Sequence, residues 1–161
     1  MSIEKVREHL KKWGKSKDIL ELPMSIATVE LAAQALNVEP GRIAKTLSLK
    51  NGTGALLVVT AGDAKIDNGK FKKEFGFKVK MLTPDEVLAL TGHAVGGVCP
   101  FGLPKSSSIY LDLSLKRFKT VFPACGSSNS AIELTCDELD KYSLNKKWID
   151  VCKGWDEEVN I

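Results

Sequence analysis

The segment Gly92-His93-Ala94-Val95-Gly96-Gly97-Val98-Cys99-Pro100-Phe101-Gly102 constrains the fold more than any other part of the chain. It holds four glycines and a proline. Glycine permits positive φ and lets backbone approach another group closely. Proline fixes φ and removes an N–H donor. Neither a packed helix nor a central strand tolerates that mixture, so the chain must leave regular structure here. Successive N–H groups in such a loop can converge on a carbonyl, carboxylate or phosphate. The same composition also suits an ordinary surface loop, so the flanking sequence has to decide between the two.

On both sides the chain alternates between short helices and short strands. Ile3, Val6, Leu10 and Trp13 fall on one face of a helix running from Ser2 to about Trp13, stopped by Gly14. His9 lies off that stripe and is expected to be solvated. Ile19 to Leu22 is a strand candidate. Thr28 can cap a second helix to about Leu36, closed by Asn37. Pro40 starts a helical turn. Thr46–Leu49 and Ala55–Thr60 read as strands joined through Asn51-Gly52, a strong hairpin signal. Lys70–Phe75 is a short helix. Thr83-Pro84-Asp85-Glu86 carries a capping box with proline at the first helical position, and its helix ends near Gly92. Strands are expected at Ser108–Leu113, Thr120–Phe122, Ala131–Leu134 and Trp148–Val151, with a second capping box at Thr135–Glu138. Strands joined by short turns among helices imply an α/β (α+β) fold. The expectation is one domain over 1–161, with a mixed, largely antiparallel sheet or partly closed barrel and flanking helices.

No apolar run approaches the length needed to span a bilayer, and the first residues contain no apolar stretch of the signal-peptide kind. A cytoplasmic protein without a membrane partner is expected. Cys99, Cys125, Cys136 and Cys152 form no C-x-x-C pair, and neither His9 nor His93 completes a zinc spacing. Reduced thiols and no metal are expected. The nucleotide fingerprints G-x-x-x-x-G-K-[ST] and G-x-G-x-x-G are missing, so no cofactor is expected. The net charge of +3 says little alone, but Lys65, Lys70, Lys72, Lys73, Lys78 and Lys80 crowd a stretch whose acids are Asp67 and Glu74. That stretch reads either as a solvated face or as a phosphate-contacting surface.

Three groups could carry chemistry. Lys45 stands between a helical turn and a strand, with Ile43, Ala44 and Leu47 around it. It is either a snorkelling surface lysine or a point charge at a pocket rim, aimed at an anion or a polarised carbonyl. Cys99 sits inside the glycine loop with His93 as the only nearby base. A small buried packing residue is the simpler reading of Cys99, and a Cys–His nucleophile pair the alternative. Gly126-Ser127-Ser128 is either a plain turn or a second set of backbone donors.

Several of these pieces, taken in order, resemble one family. They are Thr28-Val29-Glu30 opening a small-residue helix, Arg42-Ile43-Ala44-Lys45-Thr46-Leu47, and Ala61-Gly62-Asp63-Ala64-Lys65-Ile66-Asp67. The loops Gly96-Gly97-Val98-Cys99-Pro100 and Gly126-Ser127, the latter before Ile132-Glu133-Leu134, complete the set. This order is similar to the YbaK/prolyl-tRNA-synthetase-associated domain family, with the resemblance strongest over 20–151. The resemblance implies a mixed sheet wrapped by helices and a deacylase that hydrolyses the ester of mischarged aminoacyl-tRNA, on tRNA-Pro or a related tRNA. It implies a catalytic role for Lys45 and for the backbone of Gly96 and Gly97. It places Thr28, His93, Val98, Cys99, Pro100, Gly126 and Ser127 around the substrate. It implies no metal, a tRNA partner and, alongside it, an aminoacyl-tRNA synthetase, with the substrate's ribose 2′-hydroxyl helping the attacking water. The alternative is a catalytically silent module that binds tRNA or a synthetase.

Overall fold

The computed structural model describes residues 2–155; residue 1 and residues 156–161 of the expected domain lie outside the described residues. The sequence punctuation sets the elements. Helix α1 spans Ser2–Lys11, followed by strand β1 (Leu20–Glu21) and helix α2 (Val29–Leu36). Thr28 caps α2 by accepting from the Leu31 amide, and Asn37 ends it in the left-handed region at φ 55°. Strands β2 (Ile43–Asn51) and β3 (Gly54–Ala61) form the hairpin that Asn51-Gly52 announces. Strand β4 (Lys65–Ile66) leads into helix α3 (Asn68–Phe75), which Asp67 caps. Helix α4 (Pro84–Thr91) begins in the expected capping box of Thr83 and Glu86 and ends at Gly92, φ 79°. After the glycine loop come β5 (Ser108–Asp112), β6 (Thr120–Pro123), β7 (Ser130–Ala131) and β8 (Leu134–Thr135). Helix α5 (Cys136–Ser143), with the second capping box, and strands β9 (Trp148–Ile149) and β10 (Cys152–Lys153) complete the order.

The main sheet has six strands in the order β8-β6-β2-β3-β5-β9 and curls into a half-barrel. Two antiparallel two-stranded pairs, β1 with β7 and β4 with β10, sit beside it. This is the mixed sheet with flanking helices that was expected. Its parallel share is larger than the short turns implied, because β2 with β6, β3 with β5, and β5 with β9 all run parallel. A parallel partner needs a long crossover. Residues 62–107, with α3, α4 and the glycine loop, supply one between β3 and β5. Turn signals report only neighbours in sequence, so they could not reveal these pairings. The expected strand Ala131–Leu134 is divided between β7 and β8, which pair with different partners, and Trp148–Val151 shortens to β9.

Strand β3 is buried from Ala55 to Ala61. A strand covered on both faces reads as a continuous apolar run rather than an alternation. On one side Phe71 and Phe75 of α3, with Phe77, stack against Tyr110 of β5, Phe75 and Tyr110 meeting edge-on at 5.0 Å. Full burial of Phe71 contributes about 1.5–3 kcal/mol. Under α4, Val87 and Leu82 cover Leu57 and Ile109. Under α2, Ala32 and Ala33 cover Ile43, Phe122 and Ala131. Asp112, fully buried at the end of β5, accepts from the amides of Ser114 and Val151, each at 2.9 Å, and so ties the last strands to the sheet. The cysteines are free thiols.

Helix α1 corrects one expectation. His9 is not a solvated helix residue. Its Nε2 faces the Tyr142 carbonyl at 2.6 Å, its Nδ1 accepts from the Gly102 amide at 3.1 Å, and its ring lies between Trp13 and Phe101. The helical stripe of Ile3, Val6 and Leu10 identified one buried face. It could not identify a polar residue clamped between two distant segments.

Candidate functional site

The site forms where α2, the start of β2 and the glycine loop meet. A cavity of about 230 Å3 opens there, with Thr28, Lys45, Thr46, Gly96, Val98 and Phe122 among the residues that line it. Thr28 is present because it caps α2, so the N-terminal end of the helix stands at the cavity. Lys45 is present because β2 starts at Ile43, directly after the turn at Pro40–Arg42. Its half-buried ammonium donates to the Ala64 carbonyl at 2.6 Å and, longer, to the Gly62 carbonyl at 3.5 Å. Burial lowers the Lys45 pKa from the ordinary lysine value, with the negative charges of Asp63 and Glu30 working against the shift. An ammonium has three donors. The two carbonyls fix its position and leave one N–H for a ligand.

Gly96 needs to be glycine for two reasons. Its φ of +98° is a region that residues with a side chain rarely adopt, and a Cβ would stand 3.3 Å from the Ala27 Cβ. Gly97 is buried and serves a different purpose. Its amide donates to the Ala94 carbonyl at 3.0 Å, and a Cβ there would lie 2.8 Å from the Gly126 carbonyl carbon and the Ser127 nitrogen. The missing side chain of Gly97 therefore lets two loops pack backbone against backbone.

The structure brings four of the expected site residues, Thr28, Lys45, Gly96 and Val98, to one cavity. The other six do not line it. Gly97, Pro100, Gly126 and Ser127 form the layer behind the wall. The space a Gly126 side chain would fill is taken by the Ser2 carbonyl at 2.8 Å. The Ser127 hydroxyl bonds Asn129 and Ser130, and the Ser128 and Asn129 carbonyls accept from Ile26 and Leu22, which carry the lip of the cavity. Pro100 is buried beside Cys99.

His93 and Cys99 do meet, with Sγ 3.6 Å from Nε2, but both are fully buried beneath the loop. The His93 Nε2 lies 2.7 Å from the Phe101 carbonyl, which can only accept, so Nε2 carries the proton. Nδ1 then accepts from the Ser2 hydroxyl. The lone pair therefore points away from the thiol. Burial pushes the Cys99 thiol up to about 12 and lowers the His93 pKa from its ordinary value. This geometry makes Cys99 a packing residue and His93 a brace under the loop, not a nucleophile and its base.

Sequence reading missed the apolar wall. Ile26 from the segment before α2, with Val29, Ala32, Ile43, Phe122 and Ala131 from α2, β2, β6 and β7, enclose the cavity. The one signal in the sequence was the small-residue composition of α2. Among the described residues, no group of three His, Cys, Asp or Glu side chains could hold a metal ion. No helix among them is long and apolar enough to cross a membrane.

Comparison with known proteins places these features in context. The family model of the aminoacyl-tRNA editing domain matches residues 24–142. The chain is 57% identical over 157 residues, 97% of its length and 100% of the relative's, to a Bacillus subtilis protein named "Uncharacterized protein YwhH". It is 34% identical, over 70% of each chain, to an Enterococcus faecalis protein named "Putative Cys-tRNA(Pro)/Cys-tRNA(Cys) deacylase EbsC". A solved structure described as "a putative trans-editing enzyme for prolyl tRNA synthetase" superposes with a TM-score of 0.85. It is 33% identical, with 95% of this chain and 98% of the other covered.

Proposed function

Since the chain belongs to the aminoacyl-tRNA editing domain family, we propose that it hydrolyses the ester bond of mischarged aminoacyl-tRNA, acting on misacylated tRNA-Pro or a related tRNA. The observation that carries this reading is the meeting of the Lys45 ammonium, the Thr28 end of α2 and the Gly96 backbone at one cavity. An aminoacyl ester is already activated, so orientation and charge stabilisation can supply most of the catalysis. In the proposed step a water adds to the ester carbonyl carbon, helped by the neighbouring ribose 2′-hydroxyl. The electron pair moves to the carbonyl oxygen. The bond to the ribose oxygen then breaks and that oxygen takes a proton, leaving a free amino acid and an intact tRNA 3′ end. Lys45 and the backbone of Gly96, on the cavity face of the loop, hold the ester and balance the developing charge.

The apolar wall favours a small apolar or thiol-bearing aminoacyl group over a charged one. A deacylase of this kind answers a limit of binding. One methylene is worth only about 1–3 kcal/mol of discrimination in a pocket, so synthetases mischarge near-isosteres. The test is release of amino acid from a panel of mischarged tRNAs, with alanyl-, cysteinyl- and seryl-tRNA foremost. Turnover of at least one is expected. Binding of tRNA without turnover of any would replace the enzyme by a silent binding module.

A further inference from the structure

A second cavity adjoins the first and has no part in the chemistry above. It measures about 240 Å3 and shares Thr46, Val95, Gly96 and Val98 with the first, so the two meet at Thr46 of β2 and the glycine loop. Its own walls are Ser48, Met81, Leu82, Pro84 and Val87. Two features set it apart from ordinary packing. The hydroxyls of Thr46 and Ser48 are buried without a hydrogen-bond partner, and Ser48 is only 4% exposed. A buried hydroxyl without a partner costs stability and calls for an explanation. The rim, in contrast, shows apolar side chains to solvent, Met81 at 56% and Val95 at 62% exposure.

From this cavity the chain leads directly to cations. The 80–82 segment is pinned along β2 by the Lys50 amide on the Lys80 carbonyl at 2.8 Å and the Leu82 amide on the Ser48 carbonyl at 3.0 Å. Phe77 and Val79 are half-buried while Lys78 and Lys80 are exposed. That alternation is the one of extended chain, which sets alternate side chains on one side about 7 Å apart. Lys78 also lines a further hollow with Lys72, Asn68 and Gly69 at the start of α3. Among the described residues, no ion pair involves Lys72, Lys78 or Lys80, whereas nearby Lys50 is held by Glu86 and Lys70 by Asp150.

We propose that the second cavity seats a nucleobase near the 3′ end of a single-stranded RNA, whose phosphates then follow Lys80, Lys78 and Lys72. This rests on the deacylase reading above. An aminoacyl group in the first cavity must remain joined to its polymer, and the strand needs a way out past the glycine loop. A flat heterocycle has an apolar face for Met81, Leu82 and Val87, and polar edges for the Ser48 and Thr46 hydroxyls. The lysines then supply sequence-independent attraction to the backbone.

The experiment measures binding of a short uncharged RNA carrying a tRNA 3′ end, by fluorescence anisotropy across salt concentrations. It requires no turnover, so the track and the chemistry are judged separately. Each phosphate contact on a single strand contributes about −0.7 to the slope of log K against log salt. The double variant Lys78→Ala, Lys80→Ala should flatten that slope by about 1.4. The loss of affinity between about 50 and 200 mM salt then shrinks about sevenfold. Ser48→Ala should keep or raise the melting temperature, because it removes an unpartnered hydroxyl, yet weaken RNA binding about threefold to tenfold. It should leave binding of polyphosphate, which has no bases, unchanged. An unchanged slope overturns the proposal. So does a slope that moves instead in Lys65→Ala, Lys153→Ala, the cross-strand lysine pair of β4 and β10. Equal weakening of RNA and polyphosphate by Ser48→Ala, or weakening of neither, overturns the nucleobase seat. Track-dependent binding by a wild-type protein that releases no amino acid would count against the deacylase alone.

Discussion

Replacing Gly97 with alanine separates two meanings of a glycine-rich loop. If Gly97 offers its backbone to the ester, the variant should fold normally and fail to turn over. The structure predicts otherwise. The added Cβ would lie 2.8 Å from the Gly126 carbonyl carbon, 2.8 Å from the Ser127 nitrogen and 2.9 Å from the Gly126 oxygen. Contacts between such atoms are comfortable near 3.5–4.0 Å, and none of the three sits on a side chain that could rotate aside. The two loops must therefore separate by more than half an ångström. Overpacking of this kind costs about 1–3 kcal/mol, and for a chain of this size that is a fall of roughly 2–12 °C in melting temperature. The φ of Gly97 is not positive, so the cost is purely steric. Melting should be followed by circular dichroism, with turnover measured per folded molecule on the same preparation. An unchanged melting temperature with abolished turnover would refute the packing argument and place the Gly97 backbone at the ester.

Three further outcomes are expected. Lys45→Ala should lower the rate of deacylation at least tenfold, about 1.4 kcal/mol of barrier, while the fold survives because the ammonium bonds only two carbonyls at the cavity wall; full activity would remove the lysine from the mechanism. Cys99→Ser should retain most turnover, and iodoacetamide should leave Cys99 of the native protein unmodified, since its thiol is fully buried and its pKa is raised to about 12, whereas Cys136 is only half-buried; rapid alkylation at Cys99 with loss of activity would revive the nucleophile. Burial holds His9 and His93 below their ordinary value of 6.5. Below that pH the unfolded chain binds more protons than the native one, so stability is flat above about 6.5 and falls on acidification, by up to about 1.4 kcal/mol per pH unit for each histidine. His9→Gln and His93→Gln should each flatten urea-measured stability against pH, and an unaltered slope in both would count against the burial argument.

What the sequence made legible was local. Thr83 with Glu86, Thr135 with Glu138, and Asn51-Gly52 each announce an element through contacts within three residues, and each forms as expected. The two glycines at 96 and 97 were equally legible as glycines but not as different ones. One faces the cavity at positive φ and the other faces Gly126, and only the path of the second loop distinguishes them. The same holds for His93. Its neighbours in sequence suggested a base for Cys99, but its tautomer is set by the Phe101 carbonyl and by Ser2, which lies 91 residues away. The parallel pairing of β2 with β6 and the apolar wall contributed by Phe122 and Ala131 likewise depend on crossovers that leave no local mark.

Helix α1 has a consequence in time as well as space. Ser2 meets His93, His9 meets Gly102 and Tyr142, and the Ser2 and Lys5 backbone fills the places of side chains at Gly126 and Gly102. These contacts join residues 91 to 133 positions apart. A chain made from its N-terminus forward carries its first helix without those partners until α5 has been made. Long closures of this kind come late in folding. The loops around the cavity are thus fastened in part by the segment synthesised first, and a nascent chain with its central hairpin already formed still lacks those clamps.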